Sequence, residues 1–283
     1  MMRSVANLLQ GLAIISAVSV SAGVCAQTRD FTKLNSERVI DWYYATTFGT
    51  GVYQIADRTV VVGLLPFSYQ LRASDEEHWG IKLKAPVTVG VFQIPNQLGD
   101  ILSRDNFAMV SVLPGVEFER NIRPQWVIRP TASFGYGLDI GGAVGSRIWE
   151  TGVRSLYTIP MRQGEFVLGN ALLYAGNNTT TGTTQNLGIL STGLNFILPT
   201  GKELLGRPTN FGLHFIHYAY FNRLNFFLDS SERKRVDQQF EVAVTLGASK
   251  PFEIFGFSVD RIGVGFRIGS DFFAIRLVTG FLY

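Results

Sequence analysis

Histidine and serine are the residues from which a hydrolytic site on a strand could be built. A serine two residues after a histidine would place a nucleophile and its general base on one strand face. The chain's histidines are His78, His214 and His217, and none has a serine at that distance. His214 and His217 are three residues apart, so on a strand they point to opposite faces and cannot share a metal ion. We therefore expect an interior hydrogen bond for His214, an interface position for His217 and a solvated turn around His78.

Glycine-rich stretches at residues 135–141 and 263–269 are the other candidates for chemistry. Their spacing differs from a dinucleotide fingerprint, and each lies in an alternating strand pattern rather than at a strand-to-helix turn. Small inward-facing residues explain them better. The sequence therefore predicts no catalytic, cofactor-binding or metal site and no enzymatic activity.

The composition excludes several classes of protein. Only 17% of the 283 residues are charged, against about 25% in a typical soluble domain, while 46% are hydrophobic and 13% aromatic. The net charge of +3 is dispersed apart from a basic run at residues 233–235, which lies among acidic residues. A nucleic-acid partner is therefore not expected, and neither is a disordered chain.

The first 26 residues follow the pattern of an export signal. Arg3 precedes an apolar stretch over residues 8–20, and Val24 and Ala26 are suitably small for cleavage after Ala26. A lipoprotein would instead keep Cys25 as its acylated N-terminus, and a membrane anchor would need about 20 apolar residues. We expect a cleaved signal peptide (1–26), a short segment (27–37) and one domain (38–283).

Alternation of apolar with polar or small residues is the main signal along the exported part. Its segments are longer than the usual five- or six-residue strand. Residues 238–248 are typical, with apolar even positions such as Val242 and Val244 and with Glu241 and Thr245 on the other face. The first predicted segment could instead begin an amphipathic helix. The predicted strands are 38–50, 58–72, 80–94, 107–120, 125–138, 146–159, 165–176, 187–198, 209–221, 236–249, 257–268 and 271–283.

Aromatic spacing separates a membrane barrel from a soluble β-sandwich. Trp126 and Tyr136 lie on one face ten residues apart, as do Phe211 and Phe221, which spans roughly 25 Å on a tilted strand. Outer-membrane barrels carry an apolar band of that height between two aromatic girdles. The pattern predicts an all-β fold, a single closed antiparallel transmembrane β-barrel of about 12 strands in the outer membrane of a bacterial cell.

Connection lengths offer a second test, because bacterial barrels alternate short periplasmic turns with longer external loops. Counting back from a periplasmic C-terminus makes the Asn/Thr-rich residues 177–186 an external loop, as expected for a long connection. The same count assigns residues 199–208 to the periplasmic side. They are an exception to the rule of short periplasmic turns, because the sequence predicts a long connection there too.

The C-terminus carries a further motif. Apolar residues alternate up to Phe281 and Tyr283, and Arg276 supplies the preceding polar position, although Val278 stands where glycine is usual. This resembles the signal read by the barrel-assembly machinery of Gram-negative outer membranes. In layout the chain from Phe31 onward resembles the translocator barrel of a solitary, passenger-less autotransporter. The resemblance implies an outer-membrane barrel, with outer-membrane lipid, lipopolysaccharide and the assembly machinery as partners.

Charged residues of both signs fall on the inward faces of the predicted strands. Isolated buried charges are costly, so in a narrow barrel these groups should pair across the lumen. They form either a salt-bridged filling or the charged constriction of a pore. We expect a structural or translocator-like barrel, with a passive channel for small solutes as the alternative and a surface lipid-modifying enzyme as the third choice. The lumen residues are Lys82, Lys84, Glu117, Glu119, Arg129, Glu150, Arg154, Glu241, Arg261, Arg267 and Arg276.

Overall fold

A computed structural model describes residues 48–55, 58–75, 77–93, 107–140, 144–182, 184–227, 233–254 and 257–279. The chain divides into two compact units, residues 1–38 and 39–283, and every described residue belongs to the second. The predicted signal peptide, the segment 27–37, and Phe281 and Tyr283 lie outside the described residues. Within those ranges, no helix has the length and apolar character needed to cross a membrane.

The described strands form one antiparallel sheet that closes on itself. Strand β1 pairs with β13 on one side and with β2 on the other, so the order returns to its start. Strands β4 and β5 both lie between β3 and β6 and together make one wall strand. The closed barrel therefore has twelve wall strands, as predicted. The strands are β1 (Gly51–Ile55), β2 (Arg58–Arg72), β3 (Gly80–Gln93), β4 (Phe107–Val112), β5 (Gly115–Arg123), β6 (Trp126–Asp139), β7 (Gly145–Met161), β8 (Gly164–Thr179), β9 (Thr184–Leu204), β10 (Arg207–Phe227), β11 (Arg233–Ile254), β12 (Phe257–Gly269) and β13 (Phe272–Thr279).

Leu113 and Pro114 separate β4 from β5. Proline cannot donate a ladder hydrogen bond, which explains the interruption at this point. The wall nevertheless remains bonded, because the Leu113 amide donates to the Pro86 carbonyl at 3.1 Å and the Phe134 amide donates to the Pro114 carbonyl at 2.9 Å. The side chain of Leu113 is buried at 2% exposure, which accounts for its break with the outward apolar alternation of its neighbours.

The first predicted strand, residues 38–50, lies mostly outside the described residues. Residues 38–47 lie outside the described residues, residues 48–50 form no strand, and the first described strand is β1. Residues 51–55 fall between two predicted strands and were not predicted as one themselves. Their strand conformation comes from tertiary pairing, since β1 receives ladder bonds from both β2 and β13.

The apolar face of the barrel points outward. In β11 the residues from Gln239 to Gly247 at odd positions are buried, while the even positions from Phe240 to Leu246 are exposed. Among the described residues, forty large hydrophobic side chains are exposed, with Phe134 and Phe221 both at 61%. Soluble monomers rarely expose apolar area on this scale. A soluble sandwich, which buries such faces between two sheets, does not fit one closed sheet.

The predicted aromatic pairs face outward on the barrel. Tyr136, Phe211 and Phe221 are all more than one-third exposed. Trp126 is partly exposed, and its indole Nε1 donates to the Ser155 hydroxyl at 2.9 Å. A tryptophan with an apolar body and a satisfied polar atom suits a boundary between hydrocarbon and water.

Residues 177–186 and 199–208 were both predicted to form long connections. The lengths of both connections were predicted wrongly, because the strands continue beyond the residues that alternate with apolar ones. β8 ends at Thr179 and β9 begins at Thr184, so most of the Asn/Thr-rich stretch is strand. β9 and β10 have 21 residues each, against the 9–11 that cross a bilayer. Their long polar ends extend the hairpin, and the 199–208 connection narrows to the two-residue turn Leu205–Gly206.

Leu205, in the two-residue turn between β9 and β10, has a strained backbone conformation that a substitution can relieve. Leu205 has a φ of 51° and Gly206 a φ of 74°, the positive values that a type I′ hairpin turn requires. Leucine resists this conformation, whereas asparagine tolerates it. We expect Leu205→Asn to raise the free energy of unfolding by up to about 1 kcal/mol, measured by urea titration of the folded barrel. The control is Leu204→Asn, one residue earlier in the strand; an equal gain there would contradict the turn explanation.

Candidate lumen site

The buried ends of the inward side chains form three polar clusters inside the barrel. The structure brings the predicted charged residues together in them, and it adds tyrosines, amides and hydroxyls that the sequence analysis missed. We name the clusters by their central residues: Glu117, Glu241 and His214.

The Glu117 cluster joins strands β3, β5, β6 and β7. Glu117 is only 5% exposed; it is ion-paired with Arg154 and also lies 3.5 Å from Lys82. Glu119 accepts a hydrogen bond from Arg129 Nε at 2.7 Å. Arg129 and Arg154 are direct neighbours across β6 and β7, and like charges so placed repel each other. The two glutamates of β5 supply the compensating charge, which explains why both signs alternate around this part of the wall.

The Glu241 cluster holds the most deeply buried charges. Glu241 is 1% exposed, and its Oε2 accepts hydrogen bonds from Arg276 Nη1 at 2.6 Å and from the Tyr218 hydroxyl at 2.9 Å. Its other oxygen, Oε1, lies toward Gly265. A Cβ added at Gly265 would lie 2.7 Å from Oε1 of Glu241. Glycine at this inward position therefore makes room for the carboxylate, in agreement with the interpretation of the glycine string as small inward residues.

Arg267 extends the Glu241 cluster through aromatic contacts. Its guanidinium lies 3.7 Å from the centroid of the Tyr218 ring, a cation–π arrangement that is strongest where water is excluded. Its Nη2 donates to the Tyr220 hydroxyl at 2.7 Å, and that hydroxyl donates to Gln239 Oε1 at 2.7 Å. Tyr218 and Tyr220 are in phase with His214 on β10, so the alternation itself could have marked them as inward.

The His214 cluster is a hydrogen-bonded network that occupies both ring nitrogens of the imidazole. Asn195 Nδ2 donates to the Val167 carbonyl at 3.1 Å, which turns its Oδ1 toward His214 Nδ1 at 2.7 Å. His214 Nδ1 must then carry the proton, and Nε2 accepts from the Thr245 hydroxyl at 2.8 Å. Arg261 Nη1 in turn donates to that hydroxyl at 3.3 Å. Both ring nitrogens are occupied, so the imidazole is held as a structural group.

The other two histidines lie apart from these networks. His217 faces outward, and its ring stacks on Phe240 with centroids 4.8 Å apart. His78 Nδ1 lies 3.0 Å from Asp75 Oδ1 in the exposed β2–β3 loop. The backbone amides of His78 and Glu77 also donate to Asp75 and lower the pKa of that carboxyl. Among the described residues, no three histidine, cysteine or acidic side chains are grouped so that they could hold a metal ion.

Replacing His214 by phenylalanine tests its structural role. We expect His214→Phe to lower the free energy of unfolding by about 1–3 kcal/mol, because Asn195 and Thr245 would each lose a buried partner. The matched control is His217→Phe, which keeps the outward stack on Phe240 and should change stability by less than about 0.5 kcal/mol. Urea titration followed by tryptophan fluorescence measures both; similar values for the two variants would contradict the assignment.

Part of the lumen is apolar and does not follow the predicted alternation of an apolar outer face with a polar or small inner face. Phe48 and Tyr53 stack with ring centroids 4.8 Å apart, and Phe272 packs edge-on against Phe48. The Tyr53 hydroxyl donates to the Phe48 carbonyl. The inward residues of β2 next to them, Val60 and Val62, are also buried. Phe48 precedes the first described strand, so no strand alternation signalled its place inside the barrel.

The eleven predicted lumen residues therefore divide among several surroundings. Lys84 and Glu150 lie between the Glu117 and Glu241 clusters on the wall of an interior cavity, and each is within electrostatic range of the other. Arg276, also predicted as part of the assembly signal, is an inward ion-pair partner of Glu241. No known protein-family model matches the chain, and no curated protein is significantly similar to it in sequence.

Proposed function

We propose that the chain is an integral outer-membrane β-barrel of a Gram-negative bacterium, exported through a cleaved signal peptide and resembling a passenger-less autotransporter barrel. The observation that carries this proposal is the outward apolar face of a closed sheet. A closed sheet has no unpaired edge, which is the condition for β-strands to cross hydrocarbon. Outer-membrane lipid and lipopolysaccharide are its surroundings, and the barrel-assembly machinery is its partner during insertion.

The role we propose is structural or translocator-like, without enzymatic activity. Ion pairs join neighbouring strands inside the lumen, and Glu241, Arg267 and His214 are all at most 2% exposed. Such deep burial of polar and charged groups indicates a lumen filled largely by its own side chains around the interior cavity, rather than by a continuous water column. The occupied nitrogens of His214 also speak against a lipid-modifying reaction that would use it as a base.

Fractionation tests the location. The protein should stay with the outer-membrane fraction after high-salt and alkaline washes and should be released by detergent. Release without detergent would contradict the membrane proposal.

Hydrolysis of lipopolysaccharide or phospholipid vesicles by the purified protein, abolished by His214→Phe, would overturn the non-enzymatic role.

A passive channel for small solutes is the second candidate. It is favoured by the interior cavity of the lumen, whose wall carries the cationic side chains of Lys84, Arg154, Arg267 and Arg276. Planar-bilayer recording distinguishes the passive channel from the structural barrel with a filled lumen. A filled lumen should give no stable conductance steps. Stable steps whose size and ion selectivity change in Arg154→Gln would support the channel and contradict the filled barrel.

A further inference from the structure

The interior cavity has the dimensions of a small-molecule site. Its volume is about 390 Å³, within the range of roughly 300–1,000 Å³ typical of such sites. It is bounded by Lys84, Glu150 and Arg154 from the side of the Glu117 cluster and by Arg267 and Arg276 from the Glu241 cluster. Neither the barrel wall nor the proposed structural role requires such a space.

Positive charge is in excess around the cavity. Four cationic side chains line it: Lys84, Arg154, Arg267 and Arg276. Glu150 also lines it, and Glu117 and Glu241 pair with two of the arginines from outside the lining. Among the described residues, these three carboxylates face five cations once Lys82, which shares Glu117 with Arg154, is counted, so positive charge is left uncompensated. In a barrel interior that excess favours a negatively charged group in the cavity.

Arg267 shows where that charge would be bound. Its side chain is 2% exposed, and among the described residues no carboxylate lies within ion-pair distance of it. The Nε atoms of Arg267 and Arg276 are both buried without a hydrogen-bond partner. Buried donors are almost always satisfied. Guanidinium groups bind carboxylates through paired N–H donors, and both arginines line the cavity, so together they suit one carboxylate.

Much of the remaining cavity wall is apolar, although Thr131, Ser133 and Ser191 also line it. Leu113, Leu173 and Ile189 contribute to it, together with Pro66 and Pro86. A ligand that used the whole cavity would therefore need a hydrocarbon body as well as a charged end, because apolar surface removed from water adds about 25 cal/mol per Å². An inorganic anion would use only the arginine side.

We propose that this cavity binds a small organic anion, a carboxylate with an apolar body. Its carboxylate lies against the guanidinium groups of Arg267 and Arg276, and its hydrocarbon packs against Leu173 and Ile189. A phosphate fits less well, since it has no hydrocarbon to cover the apolar part of the wall. The site goes beyond the proposed structural role and does not depend on whether the barrel conducts.

Isothermal titration of the full-length protein in non-ionic detergent tests the site, with octanoate as the probe and octanamide as its neutral match. Octanoate should bind saturably and at least tenfold more tightly than octanamide. Arg267→Gln should weaken octanoate binding at least tenfold. Arg129→Gln, which removes a lumen arginine outside the cavity lining, should leave it unchanged. Equal binding of the two probes, or octanoate affinity unaffected by Arg267→Gln, would overturn the proposal.

A second variant keeps the test decisive if Arg267→Gln does not fold. Leu173→Trp fills the apolar part of the cavity and leaves every arginine in place. It should reduce octanoate binding at least tenfold, whereas Leu190→Trp, at an outward position 38% exposed and outside the cavity lining, should not. Unchanged octanoate binding in Leu173→Trp would place the interaction in the detergent or on the barrel surface and would contradict the cavity site. The proposed membrane location would not be affected by that result.

Discussion

Glu241→Gln is expected to cause the largest loss of stability, about 3–5 kcal/mol, because removing one member of a buried ion pair leaves its partner's charge uncompensated. Glu241 is 1% exposed and accepts hydrogen bonds from Arg276 and Tyr218. The amide keeps the shape of the carboxylate, so the change isolates the charge. Urea titration of the protein refolded into lipid vesicles, with tryptophan fluorescence and gel mobility as readouts, measures the loss.

Glu119→Gln is the matched control for this experiment. Glu119 is also an inward glutamate paired with an arginine, but the Glu119 and Arg129 side chains are 28% and 26% exposed. Partial access to water should limit the loss to about 0–1 kcal/mol. The double variant Glu241→Gln with Arg276→Met should recover part of the stability, since it removes both charges. Equal losses for the two single variants would show that burial does not set the strength of these pairs.

Val244→Arg should have the next largest effect, a loss of about 2–4 kcal/mol in a lipid bilayer, because an arginine near the bilayer midplane must leave water. Val244 lies midway along the outward apolar run of β11 and is 43% exposed. In a soluble protein the same change at so open a position would cost less than about 0.5 kcal/mol. Urea titration in vesicles measures the difference from the unchanged protein.

Two further variants make the Val244 experiment specific to lipid. Val244→Ala tests the loss of side-chain size without adding charge and should cost much less than Val244→Arg. Leu205→Arg places the same charge at the exposed β9–β10 turn, 83% exposed, and should be nearly neutral. A loss below 0.5 kcal/mol for Val244→Arg would contradict an acyl-chain environment around the barrel and, with it, the proposed location.

Strand identity and the direction of side chains were predictable from the sequence because both are local. Successive side chains of a strand point to opposite faces, so Glu241, Arg267 and Arg276 could be placed on inward faces without any knowledge of neighbouring strands. The same argument separated His214 from His217. Strand ends were less predictable, since polar residues beyond the apolar band can continue a hairpin, as residues 199–208 do.

Partners inside the lumen could not be predicted, because they depend on closure and register. Arg276 and Glu241 are 35 residues apart in sequence and meet because β11, β12 and β13 are consecutive in the wall. The strand β1 exists only because β2 and β13 offer bonds on both of its sides. Phe48, which is in no strand, had no periodic signal at all.

The sequence alone determined that the wall is a set of alternating strands with an apolar outer face, since period two is a property of each strand by itself. Only the tertiary structure decided which charges compensate each other, where the lumen is apolar, and which arginines keep unsatisfied donors beside a cavity. Those features arise when inward side chains from strands distant in sequence share one enclosed space, where burial strengthens every unbalanced charge.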